Sequence, residues 1–193
     1  MTPQQQADKL NLFIGNFDNL IADTFESATF NLLADIKTRV FGEHEDTSGG
    51  KLGQYSTKPT LIGAKSFINK GGANTFFESQ KKKEDGKWRT VKGKHLFILD
   101  GGYKELRQIQ GRQTAEIDLQ YSFELAKSGL TTKIGSGVYQ VKFANLISQN
   151  KGRGFEKRRG KKVFYASDIE QRKSLFFIGK KIVGELKKAF GNV

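Results

Sequence analysis

Few residues in this chain have the types and spacing that chemistry needs. It has no cysteine and only two histidines, His44 and His95. Disulfides and thiolate nucleophiles are therefore excluded, and nucleophile–histidine pairs have almost no candidates. The run Glu43-His44-Glu45-Asp46 is the nearest thing to a cation site. It lacks the glycine and the fixed oxygen offsets of a hard-metal loop, so it reads as a solvated acidic loop. Residues 154–162 are the nearest thing to a phosphate loop. Gly160 is displaced by one position, no Ser or Thr follows Lys161, and the segment leads toward an expected strand where a phosphate loop would open a helix. Carboxylates such as Asp118 and Glu124 fall on the wet side of an alternating stretch, where solvation accounts for them. The expectation is a non-enzyme, without cofactor or metal.

Charge is the stronger signal. The chain has 193 residues and a formal net charge of +13. Two runs supply nearly all of it. The first is Lys81, Lys82, Lys83, Lys87, Arg89, Lys92 and Lys94, against Glu84 and Asp85. The second is Lys151, Arg153, Lys157, Arg158, Arg159, Lys161 and Lys162, against Glu156. Such patches meet phosphates or an acidic protein surface, or are simply solvated loops. Trp88, between Lys87 and Arg89, suits stacking on a base, but a plug packed on a sheet is the preferred reading.

The elements that must position these residues follow from periodicity. Residues 116–125 alternate strictly, with Ile117, Leu119, Tyr121, Phe123 and Leu125 on one side and polar residues on the other. That is the pattern of a half-buried strand. Short strands are expected at 131–134 and 138–143, joined through glycine turns into an antiparallel meander. Another strand is expected at 96–99, a helical turn or loop at 103–111, and a last strand at 163–166. Residues 16–41 read as a long helix with Phe17, Leu20, Ile21, Phe25, Ala28, Leu32, Ile36 and Val40 on one stripe. Asn16 would be its N-cap and Gly42 its end. Phe13, Phe30 and Leu33 lie off that stripe and are the candidate subunit interface, a folded-back arm being the alternative cover for that face. Ser167 and Glu170 have capping-box spacing, opening a final helix that places Leu175, Ile178, Ile182, Leu186 and Ala189 on one stripe and ends at Gly191.

The expected fold class is α+β, an antiparallel sheet packed against a long N-terminal helix and a C-terminal helix. Residues 1–15 read as a loosely held polar arm, and 16–193 as a single domain with long loops at 42–72 and 77–94. The sequence contains no apolar run long enough to span a membrane, and no membrane partner is expected.

The segment Gly101-Gly102-Tyr103-Lys104-Glu105-Leu106-Arg107, continuing through Gly111-Arg112 to Ile117-Asp118-Leu119, resembles the phage virion-morphogenesis family, the tail-completion proteins of Mu-like and related tailed phages. That family has a Gly-Tyr-x-x-x-Arg segment before its central strand. It then has a hairpin, here 131–143, and a strand leading to an acidic helix start, here Val163-Phe164-Tyr165-Ala166-Ser167-Asp168-Ile169-Glu170. The glycine loop from Asp46 to Leu52 and the pair Tyr55-Ser56 are also similar to the family's opening. The chain departs from the family at residues 120–125, at 162–166, and in the basic insertion 81–94. The resemblance implies a structural virion protein of the neck, or head-proximal tail end, made in the host cytoplasm. It implies a homo-oligomeric ring, of six copies or alternatively twelve, between portal and tail-tube proteins around the DNA exit channel. No catalytic residues come with it. The other class compatible with the charge is a sequence-independent nucleic-acid-binding module built on the two basic runs.

Overall fold

The computed structural model describes residues 2–63, 87–117, 119, 124–135 and 138–191. The fold is α+β, with long first and last helices and small antiparallel sheets. Contacts divide the chain into two compact units, Met1–Lys51 with Asp118–Val193, and Leu52–Ile117.

In the larger unit, helix α1 runs over Pro3–Lys37, about 52 Å at 1.5 Å per residue. Asn16 is not its N-cap. Thr2 and Gln5 close a capping box, with Pro3 in the first turn, and the Asn16 amide donates within the helix to the Leu12 carbonyl. The residues expected to form a loose arm are thus the first turns of α1. At its far end the helix does not stop at Gly42. It widens into a π-helical turn, Thr38–Glu43, closed by His44 in the left-handed region with φ 60°.

The alternation at 116–125 does not give the expected central strand where the structure describes it. Leu119 has φ 53°, which an extended strand cannot carry, and Glu124–Lys127 form a helical turn, α3. Asp118 and residues 120–123 lie outside the described residues. The hairpin after it is present: β4, Gly129–Gly135, pairs antiparallel with β5, Val138–Phe143. Tyr139 fastens this hairpin to α1 by donating its hydroxyl to the Ala22 carbonyl at 3.2 Å.

Two further expectations in this unit fail for one reason. The second basic run is not a loop, and residues 163–166 are not a strand. Asn145 caps and Gly160 terminates a helix, α4, over Leu146–Arg159. The Glu156 carboxylate of that helix accepts the backbone N–H groups of Val163 and Phe164 at 2.8 and 3.0 Å, taking donors a strand would have needed. Helix α5, Asp168–Phe190, opens on the Ser167–Glu170 capping box and ends at Gly191 as expected. It packs against α1, with Phe190 on Phe13 at one end and Lys181 reaching Ser27 further along. Buried residues of the unit include Ala28, Ile36, Val40, Leu125, Phe155 and Val163.

In the smaller unit, β1 (Thr60–Gly63), β2 (Trp88–Val91) and β3 (Lys94–Leu99) form an antiparallel sheet in the order β1-β3-β2. Neither expected long loop is wholly irregular: β1 lies within 42–72, and the end of 77–94 is the β2–β3 hairpin. Its two-residue turn, Lys92-Gly93, has φ of 50° and 71°, as a tight hairpin turn requires. Helix α2, Gly102–Ile109, covers the sheet, and Ile62, Phe97, Leu99 and Leu106 are the buried cluster. At Gly102, φ is 63° and a Cβ would overlap the Lys58 carbonyl, so only glycine starts α2 there.

Candidate functional site

The second basic run is organised by helix α4. Its inner face is Ser148, Gly152 and Phe155, all buried. Gly152 lets the helix approach its neighbours: a Cβ there would lie 3.0 Å from the Phe143 ring and 3.2 Å from Phe164. Those two rings meet edge to face at 5.1 Å, and Phe164 also lies 6.3 Å from Phe41. Phe155 and Phe164 are therefore packing groups.

Helical spacing sorts the cations. Arg153 and Lys157 are one turn apart, and Lys151 and Arg158 two turns apart, so they form two rows on the outer side with Asn150 and Gly154 between them. All four are exposed, as is Arg159. The only acid of α4, Glu156, is occupied by backbone amides. The charged side chains of the outer face are therefore all cations, with Leu146 and Ile147 exposed beside them in the first turn.

Lys161 does not belong to that face. Its ammonium donates to the Asp46 carboxylate at 2.8 Å and to the Lys51 carbonyl at 2.6 Å. Asp46 also accepts from the Ser48 hydroxyl and the Ser48 and Gly50 amides. Burial pushes the Asp46 carboxyl up, but Lys161 and these hydrogen bonds outweigh it and hold the group well below the usual carboxylate range. The acidic run is thus a structural loop, and no cluster of three or more potential metal ligands occurs among the described residues. Lys162 is exposed and uses its carbonyl to accept from Thr47.

Of the first basic run, Arg89, Lys92 and Lys94 are exposed. Lys87 pairs with Asp100 at 2.9 Å, and Arg89 lies on β2. Lys81, Lys82 and Lys83 lie outside the described residues. Of the proposed interface residues, Phe13 is half-buried between Phe17 and Phe190 of its own chain, Leu33 is half-buried near Gly129, and Phe30 is 53% exposed.

Sequence reasoning missed the buried hub beneath α4. Arg39 donates to Glu170 at 2.8 Å and to the carbonyls of Glu45, Val163 and Tyr165 at 3.1, 3.1 and 2.7 Å. Glu170 spends its other oxygen on the Ser167 amide. The capping-box spacing gave half of this, but nothing local marks Arg39 as its partner 131 residues away. The other omission is apolar. Ile169 and Phe176 of α5 are 67 and 73% exposed, and Leu12 and Ile14 of α1 are 68 and 62% exposed; Leu175, expected on the apolar stripe of the final helix, is 68% exposed as well.

Comparison with protein-family models, curated proteins and solved structures gives no match. No helix among the described residues is long and apolar enough to cross a membrane.

Proposed function

We propose that this chain is a structural virion protein of a tailed bacteriophage, a ring-forming tail-completion or neck protein that joins the portal region to the tail around the DNA exit channel. The role is assembly, with portal, tail-tube and identical chains as partners, and not catalysis. The observation that carries this reading is the set of exposed apolar side chains along α1 and α5, which on α5 recur as a row rather than as scattered single residues. The cationic face of α4 supports it secondarily, because a ring around exiting DNA gains a salt-sensitive, sequence-independent attraction from such a face. That same face also supports a second reading, a nucleic-acid-binding module acting as a monomer.

Light scattering at low and high salt, with and without duplex DNA, separates the two. The assembly reading expects oligomers that persist in high salt without DNA. A monomer that gains mass only with DNA, and loses it as salt rises, would replace it with the module. Replacing Arg153, Lys157 and Arg158 by Glu should leave oligomers intact in the first case and abolish DNA binding in the second.

A further inference from the structure

We infer that copies of this chain join head to tail, the outer stripe of α5 in one copy receiving the N-terminal half of α1 from a second copy. This rests on the ring-forming reading and adds which faces meet. The stripe is Ile169, Phe176, Val183 and Phe190, four apolar residues at strict seven-residue spacing. Their exposures are 67, 73, 49 and 38%. A seven-residue apolar repeat is the seam that another helix packs against, side chains entering the gaps of the facing helix. A straight α-helix rotates such a repeat by about 20° per heptad. From Phe176 onward the exposure falls along that rotation, and the stripe ends where Phe190 meets Phe13, ring centroids 5.4 Å apart. Its first three members face away from the chain's own packing.

Helix α1 supplies a matching surface. Leu10, Ile14 and Phe17 share one face at steps of four and three, and each is exposed. The charges are complementary. Helix α1 carries five carboxylates and two lysines, whereas α5 carries six cations and three carboxylates. Beside the α5 stripe, Lys173, Lys180 and Lys187 form an exposed row at the same seven-residue spacing. A second α5 laid antiparallel would set lysine against lysine. An incoming α1 brings Asp18, one turn beyond Ile14, and no competing cation on that face. The same two helix types already pair antiparallel within each chain, through Lys181 and Ser27 and, just past the end of α1, through Arg39 and Glu170. Because the two faces differ, the contact repeats from copy to copy, closing into a ring or extending as a filament.

Two variants test this: Leu10→Asp with Ile14→Asp on α1, and Phe176→Asp with Val183→Asp on α5. All four side chains are at least 47% exposed, and far-UV circular dichroism checks that helix content is kept. Should aspartate reduce it, serine at the same positions keeps the test. Light scattering should show the unaltered chain assembled, each variant alone at the monomer mass, and an equimolar mixture at twice that mass, since one intact face of each kind remains. Self-assembly of the α1 variant alone, or a mixture that stays monomeric, overturns the inference. Both variants assembling like the unaltered chain overturns it while leaving the ring reading standing. An unaltered chain that is monomeric at every concentration overturns both.

Discussion

Replacing Arg39 with Met keeps most of the side chain's length and removes every donor. The side chains of Arg39 and Glu170 are only 8 and 6% exposed, so the pair lies away from water. The substitution leaves the Glu170 carboxylate with one backbone amide, and strips the Val163 and Tyr165 carbonyls of the guanidinium they face. Removing one partner of a buried pair costs about 3–5 kcal/mol, because the remaining charge keeps its desolvation penalty. Urea unfolding followed by the helical circular dichroism signal should therefore show a loss of about that size. At a typical urea dependence of about 1–3 kcal/mol per molar, the midpoint would fall by more than about 1 M. Adding Glu170→Leu should restore much of the loss, since apolar replacement of a whole buried pair is often neutral. The two changes would then couple by about 2 kcal/mol or more. An Arg39→Met cost below about 1 kcal/mol, or strict additivity in the double variant, would refute the claim that this pair holds the buried hub together.

Two glycines of α4 should respond oppositely to alanine. Gly154→Ala meets only the Arg158 guanidinium at 3.9 Å and should stabilise by about 1 kcal/mol through helix propensity. Gly152→Ala should destabilise by about 1–2 kcal/mol net, because Phe143 and Phe164 brace each other and cannot both retreat; thermal melts of the pair decide the sign. Asp46 should give an acid limb to stability. Its folded-state pKa is depressed, so its contribution is complete above the unfolded value of about 3.9 and is lost as pH falls below that toward the folded value. Urea midpoints between pH 6 and pH 2 should fall less steeply in Asp46→Asn than in the unaltered chain, and identical slopes would contradict the assignment.

What could be read from the sequence was local. The Ser167–Glu170 box, the hairpin ending in Phe143 and the helical turn after Asp100 carry their signals within a few residues. The Thr2–Gln5 box is equally local, but the turns after it are polar and show no buried stripe to mark a helix. Helix α4 was hidden by its composition. Its apolar face is two small residues and one phenylalanine, so periodicity is weak, although Asn145 and Gly160 bracket it as a cap and a terminator. The alternating stretch misled for the opposite reason. A period of two is only permissive, and Leu119 adopts a conformation that the pattern cannot encode. The basic candidates divided on tertiary grounds: Lys161 was taken inward by Asp46, while Arg153, Lys157 and Arg158 stayed outward on a helix that Gly152 lets close onto two rings.

These pieces converge at one junction. Arg39 lies in the π-helical turn that follows α1, Glu170 begins α5, and the carbonyls between them on Arg39 belong to residues 163 and 165, the segment that Glu156 of α4 also holds. The junction therefore fixes three helices at once: the antiparallel course of α1 and α5, and the placement of α4's cationic side. Its polar groups are satisfied internally, so it has little left to offer a ligand. The surfaces it leaves outward are the reverse, apolar on the two long helices and cationic on the shorter one. On the ring reading proposed above, those bare outer faces are where other copies would dock. Weakening the junction by Arg39→Met should for that reason lower assembly as well as stability, whereas aspartate on the outer stripe of α5 should lower assembly alone.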